Sequence, residues 1–191
     1  MLEQFFRHIN KFTSINEAEF ADIITYFEIK KFGKKEILME TGSICNKHFF
    51  VLSGCLHMFY TNEKGSEQTL QFAIENWWLT DNLAFRQQRK TDFCIQAVEN
   101  SEVLFIDFQK QELLLEKFPK MEKYFRNVFE KAYGAAQMRV KYIFDYSKEE
   151  MFFTFQEQYP EFIARVPQYL IASFLGLTPE YLSEIKSKRL S

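Results

Sequence analysis

The sequence predicts an α+β protein: an N-terminal antiparallel β barrel or sandwich with flanking helices, then a long helix, then an all-helical C-terminal part. Three observations predict it. Between residues 36 and 108 short apolar runs alternate with Gly, Ser and Asn turn signals. From Pro119 to about Tyr146 apolar residues recur at steps of three and four. Residues 147–191 hold helix caps and a Gly-Leu-Thr-Pro turn.

Composition sets the frame. A chain of 191 residues is one large domain or two small ones. With 47% hydrophobic and 26% charged residues it has ordinary globular usage, which excludes long disorder. The 6 Gly and 4 Pro exclude collagen-like and low-complexity readings. Phenylalanine, at 23 copies against 2 Trp, supplies much of the core. No window holds 18 consecutive apolar residues and the first residues lack a signal-peptide core, so the expectation is a cytoplasmic protein without membrane contact. Cys45, Cys55 and Cys94 are widely spaced, with no CxxC pair, and read as reduced core thiols. Net charge is -2, so global charge does not announce a nucleic-acid binder. The distribution is uneven: residues 116–142 carry 7 Lys/Arg against 3 Asp/Glu, residues 147–191 carry 5 against 6.

The first 25 residues read as helical. Ser14 or Asn16 caps a turn that places Phe20, Ile23, Ile24 and Phe27 on one face. Strands follow at Glu36–Met39, His48–Leu52, Cys55–Tyr60 and Glu67–Ile74, separated by Thr41-Gly42, Ser53-Gly54 and Asn62–Gly65. In Glu67–Ile74, Leu70, Phe72 and Ile74 alternate with Thr69, Gln71 and Ala73, as in a half-buried strand. Further strands fit Asp92–Val98 and Glu102–Phe108. A short helix covers Phe108–Phe118, and Pro119 ends it or opens the next. The long helix has a near-heptad seam of Met121, Phe125, Val128, Ala132, Ala135 or Ala136, Val140 and Ile143. Its length exceeds what one small barrel covers, so the seam predicts pairing with a second copy.

The C-terminal part is the most specific. Ser147-Lys-Glu-Glu has the form of a capping box before Met151–Phe155. Further on, one helix buries Leu170, Ile171 and Phe174 or Leu175, and Gly176 ends it in the left-handed conformation. Thr178 caps a second helix, Pro179 is its first residue, and Leu182 and Ile185 face inward. Ala172 is small where two steeply crossed helices approach. These are the mechanical parts of a helix-turn-helix, whose second helix enters the DNA major groove, although two helices joined by a Gly turn also occur in unrelated folds.

This order of helix, glycine-punctuated strands, long basic helix and terminal helix-turn-helix resembles the Crp/Fnr superfamily of transcription regulators. Phe32–Ile106 is similar to a cyclic nucleotide-binding domain, with Thr41-Gly42, Ser53-Gly54 and Glu63-Lys-Gly65 where that family turns its β-roll. Leu175-Gly-Leu-Thr-Pro-Glu-Tyr-Leu-Ser-Glu-Ile-Lys is similar to the Leu-Gly-Ile-Thr-Pro-Glu-x-Leu-Ser-Arg-Ile-Arg signature of a subgroup with a short C-terminal domain. The resemblance implies a double-stranded β-helix sensor over residues 1–118, a dimerisation helix over 119–146 and a DNA-binding domain over 147–191. It implies a homodimer on a near-palindromic operator, with RNA polymerase as a further partner, and no enzymatic activity.

Departures qualify what the resemblance implies. Cyclic nucleotide binders carry a Phe-Gly-Glu-Leu-(Ala/Gly)-Leu cassette, then Arg-(Ser/Thr)-Ala; the glutamate accepts from the ribose and the arginine neutralises the phosphate. Here Trp78-Leu-Thr-Asp81-Asn82-Leu83-Ala84 and Thr91-Asp92 occupy those positions. Asp81 replaces the glutamate with a shorter reach, Thr91 takes the arginine position, and Asp92 repels a phosphate. Cyclic AMP binding in the usual way is not expected, and the candidate pocket (Trp78, Asp81, Asn82, Leu83, Ala84, Thr91, Asp92) suits an unidentified small effector or none. Three scattered cysteines do not supply an Fnr-type iron–sulfur cluster, and His8, His48 and His57 are too few for a cupin-type metal site, so neither metal nor catalytic residues are expected. In the second helix of the helix-turn-helix, Glu184 stands where relatives carry arginine. Gln168, Thr178, Glu180, Tyr181, Ser183 and Glu184 are the candidates for base or groove contact; Lys186, Lys188 and Arg189 are those for phosphates. The acidic substitution also keeps open a sensor or protein-interaction module whose helix-turn-helix no longer reads DNA.

Overall fold

The computed structural model describes residues 2–188; Arg189, one of the expected phosphate contacts, lies outside them. The chain divides into two compact units, residues 1–60 with 71–131 and residues 61–70 with 132–191.

The first unit opens with α1 (Leu2–Asn10) and α2 (Glu17–Ile23). Asn16 rather than Ser14 caps α2, in a full capping box with Glu19, and a 3-10 turn over residues 24–26 follows. Two four-stranded antiparallel sheets come next, ordered β1-β8-β3-β6 and β2-β7-β4-β5, with residues 67–70 of β5 counted in the second unit. The strands are β1 (Glu28–Phe32), β2 (Ile37–Met39), β3 (Lys47–Ser53), β4 (Leu56–Thr61), β5 (Glu67–Ala73), β6 (Trp78–Leu79), β7 (Cys94–Ala97) and β8 (Ser101–Asp107). In the central pairing His48 sits opposite Ile106 and Phe50 opposite Leu104. Gly54, at φ +99°, makes the β3–β4 turn, and a Cβ there would lie 2.6 Å from the Ser101 Cα. That close approach requires glycine.

Alternation along the strands sorts the side chains into two cores. Phe49, Val51, Leu56, Met58, Ile95, Ala97, Val103 and Phe105 point between the sheets and fill the roll. Their neighbours Phe50, Leu52, Leu104 and Ile106 point outward, where Phe5, Ile9, Ile23, Tyr124 and Phe125 cover them. In β5 the apolar alternation is misleading. Ala73 joins the roll core and Thr69 is fully buried, whereas Phe72 lies on the opposite face, 6.2 Å from the His57 ring.

After β8, Asp107 caps α4 (Phe108–Lys117), and past Pro119 comes α5 (Lys120–Asp145). The first turns of α5 bury Met121, Tyr124 and Phe125. Beyond them the seam changes character: Ala132, Ala135, Ala136, Val140 and Ile143 are exposed, and so are Phe129, Tyr133 and Phe144 outside the seam, Phe144 to 83%. Gly134 stands within this stretch, with open space around the position a Cβ would take.

The second unit continues with α6 (Lys148–Gln158), α7 (Pro160–Arg165), α8 (Gln168–Leu175) and α9 (Pro179–Lys188). The Ser147/Glu150 capping box opens α6. No helix among the described residues is long and apolar enough to cross a membrane.

Candidate functional site

Two places collect the expected functional residues. In the first unit, β6 leads into Thr80-Asp81, and Asp81 caps α3 (Asn82–Gln87) by accepting the Ala84 N–H at 3.1 Å. Its second carboxylate oxygen accepts the Thr91 hydroxyl at 2.9 Å. Thr91 Oγ1 also accepts the Phe93 N–H at 3.0 Å. Both side chains are buried, Thr91 to 1% exposure. Residues ten positions apart thus satisfy each other across the cassette, and the Asp81 carboxylate is already engaged on both oxygens.

The other expected pocket residues do not converge on this pair. Ala84 is fully buried in the roll core, and Asn82, Leu83 and Asp92 are exposed. Trp78 belongs to the helix-facing core instead, because β6 alternation sends Leu79 into the roll and Trp78 outward. Arg86 forms a 2.9 Å ion pair with Glu112 of α4. A 330 Å³ cleft in this unit includes Glu28, Lys47 and Asp107 but none of the expected pocket residues.

Trp78 has a different role. Its indole N–H donates to the Tyr124 hydroxyl at 2.8 Å, and the same hydroxyl meets His8 Nδ1 at 2.8 Å. Strand β6, helix α1 and the start of α5 are joined at one buried oxygen. Burial holds the His8 pKa down at about 4 and pushes that of Tyr124 far up, so both are neutral near pH 7. His48, 4.3 Å from the Trp78 ring, is likewise lowered to about 4 by burial. Burial also lowers His57, which is bonded to Gln96 at 3.2 Å, and raises the Cys45 thiol. Among the described residues no group of three or more His, Cys, Asp or Glu could hold a metal ion.

In the second unit, Gly176 at φ +69° ends α8. The Leu177 N–H reaches the Ala172 carbonyl at 2.8 Å and the Gly176 N–H that of Ser173 at 3.2 Å, the two bonds of a Schellman cap. Thr178 Oγ1 accepts the Tyr181 N–H at 3.2 Å and opens α9, with Pro179 first. Leu170, Ile171, Ala172, Leu175, Leu182 and Ile185 are buried, so Leu175 rather than Phe174 completes the inner face of α8. Glu180, Ser183 and Glu184 are exposed on α9 and Tyr181 is half-buried. Glu184 forms a 2.8 Å ion pair with Lys188, and that bond raises the Lys188 pKa. Gln168 and Lys186 line a 470 Å³ cleft together with Arg165. Arg165 carries no motif, and only the fold of α7 brings it to the start of α8.

Residues 29–118 match the cyclic nucleotide-binding domain family. No curated protein matches the sequence. Among solved structures the chain is similar to CLP of Xanthomonas campestris, described as a c-di-GMP-responsive global regulator, at 11% identity; the match covers 92% of this chain and 92% of that one with a TM-score of 0.75. It is similar to a CooA mutant from Carboxydothermus hydrogenoformans at 19% identity, covering 93% and 85% of the two chains with a TM-score of 0.68. FixK2 from Bradyrhizobium japonicum matches at 16% identity over 85% and 83%, also with a TM-score of 0.68. At these identities the likeness is one of fold. The chain has the architecture of an antiparallel roll with flanking helices, a long helix and C-terminal helices.

Proposed function

We propose that the protein is a dimeric, sequence-specific DNA-binding transcription regulator of the Crp/Fnr type, working in the cytoplasm. The α8–turn–α9 unit carries this reading: its caps, its buried inner face and its exposed Thr178, Glu180, Ser183 and Glu184 have the form of a helix-turn-helix with an accessible second helix. Arg165 and Lys186, at one cleft with the groove candidate Gln168, suit the phosphate backbone. The exposed α5 seam supports pairing with a second copy, which places two recognition helices on a near-palindrome. RNA polymerase is the further partner on this reading, and no catalytic role is assigned.

The roll senses something other than a cyclic nucleotide held in the usual way, or nothing. The Asp81–Thr91 bond supports this, since both carboxylate oxygens already accept bonds from the protein and Thr91 offers no charge to a phosphate. Any effector acts by favouring one arrangement of α5 and the two DNA-binding units over another.

The experiment is selection of duplexes from a random pool with the purified protein. The winner is then titrated at several salt concentrations against a Tyr181→Ala, Lys186→Ala variant. A near-palindromic winner with a steep salt slope, lost in the variant, is the expected result. One observation favours a second reading, a sensor or interaction module that has left DNA: Glu184 neutralises Lys188 on the outer face of α9. Weak, salt-insensitive binding with no selected sequence would establish it.

A further inference from the structure

We propose that the first residues of strand β5 and the C-terminal end of α8 form a clasp, closed by Ser173 and Arg139, that holds the α8–turn–α9 unit ready for DNA. The inference rests on the DNA-binding reading above, and its observations all lie within the second unit.

Strand β5 is an edge strand, so its outer backbone groups need partners or water. Ser173 supplies them. Its hydroxyl donates to the Glu67 carbonyl at 2.9 Å and accepts the Thr69 N–H at 2.8 Å. One side chain thereby makes the two bonds that a residue of a neighbouring parallel strand would make. The Gln68 amide returns a bond to the Ser173 carbonyl. Arg139, from α5, closes the other side: its guanidinium donates to the carbonyls of Leu70 and, at 2.7 Å, Phe174, and it lies 4.0 Å from the Phe174 ring centre. Arg139 forms no ion pair among the described residues, and both of these guanidinium bonds go to backbone carbonyls.

The clasp grips α8 at Ser173 and Phe174. It leaves Gln168 at the other end of α8, and Thr178, Glu180, Ser183 and Glu184, exposed. A grip of this kind does not block DNA; it fixes the unit that must meet it. Arg139 is three residues from Ala136 and four from Ile143 of the exposed seam, so one stretch of α5 serves both pairing and clasp. A unit freed from the clasp spends only part of its time in the binding arrangement, and its apparent affinity falls by that fraction.

The test uses the full-length protein with Ser173→Ala, Arg139→Met and, as the restoring variant, Ser173→Thr. Two quantities are read: hydrogen exchange of the Thr69 amide, and affinity for the selected duplex relative to a scrambled duplex at the same salt. The expected result is protection of Thr69 in the wild type and in Ser173→Thr, loss of that protection in Ser173→Ala, and a loss of specific affinity of about tenfold or more in Ser173→Ala and Arg139→Met with scrambled-duplex binding unchanged. An unprotected Thr69 amide in the wild type overturns the clasp. So does specific affinity that stays equal or tightens once exchange shows it open. A wild type that selects no duplex sinks the DNA-binding reading and the clasp's purpose with it; a protected Thr69 then shows that the contact exists, so the two failures are told apart.

Discussion

Thr91→Val keeps the shape of a side chain that is 1% exposed and removes only its hydroxyl. Two bonds go with it, the 2.9 Å bond to the Asp81 carboxylate and the 3.0 Å bond from the Phe93 N–H. A hydrogen bond to a charged group contributes about 1.5–3 kcal/mol and a neutral one about 1 kcal/mol, so the loss is about 3 kcal/mol. No cavity adds to it, because valine is isosteric. Both tryptophans, Trp77 and Trp78, lie in the first unit, so their emission reports the unfolding of that unit alone. In urea, with a slope of about 2 kcal/mol per molar, the midpoint should fall by roughly 1.5 M at unchanged slope. A loss below about 1 kcal/mol would refute the reasoning. It would mean that Asp81 and Thr91 do not hold each other and that the cassette is open to a ligand.

Three further outcomes follow from the same physical reasoning. Tyr124→Phe leaves the Trp78 N–H and His8 Nδ1 without their shared partner, and should cost about 2–4 kcal/mol; much of that should be recovered in combination with Trp78→Phe, read as a coupling in a double-mutant cycle. His8 and His48 have folded pKa values held at about 4, below the ordinary 6.5, so the unfolded chain binds more protons between these values. Stability is therefore full above about pH 6.5 and lost as pH falls toward 4, by up to about 3 kcal/mol per histidine, measurable as a midpoint shift between pH 7 and pH 4.5. Val140→Glu with Ile143→Glu places charges on the exposed α5 seam and, on the dimeric reading proposed above, should give a monomer in sedimentation with the helical signal intact.

What could be read directly from the residues was local chemistry. Gly176, Thr178, Pro179 and the Ser147/Glu150 box each announce a helix end through their own backbone or side-chain bonding, and α5 announces itself by period. Strand β1 is not legible, since four residues of Glu-Ile-Lys-Lys-Phe are exposed and the alternation vanishes. In β5 the larger side chains mark the wrong face, because Phe72 packs with His57 outside the roll while Thr69 and Ala73 are buried. Trp78 was expected at the cassette from its place in the chain; two-residue β6 gives too little pattern to show that it faces Tyr124. The Asp81–Thr91 bond, Arg165 at the cleft and the Ser173–Thr69 contact depend on long-range folding that spacing does not encode.

Helix α5 spans 26 residues, and its one glycine, Gly134, lies two residues beyond the junction of the two units at Ala132. Nothing packs where its Cβ would be, so alanine would fit and would favour the helix by about 1 kcal/mol. Backbone freedom within α5 is thus greatest at Gly134. On the DNA-binding reading proposed above, a Gly134→Ala helix should tolerate less difference in half-site spacing.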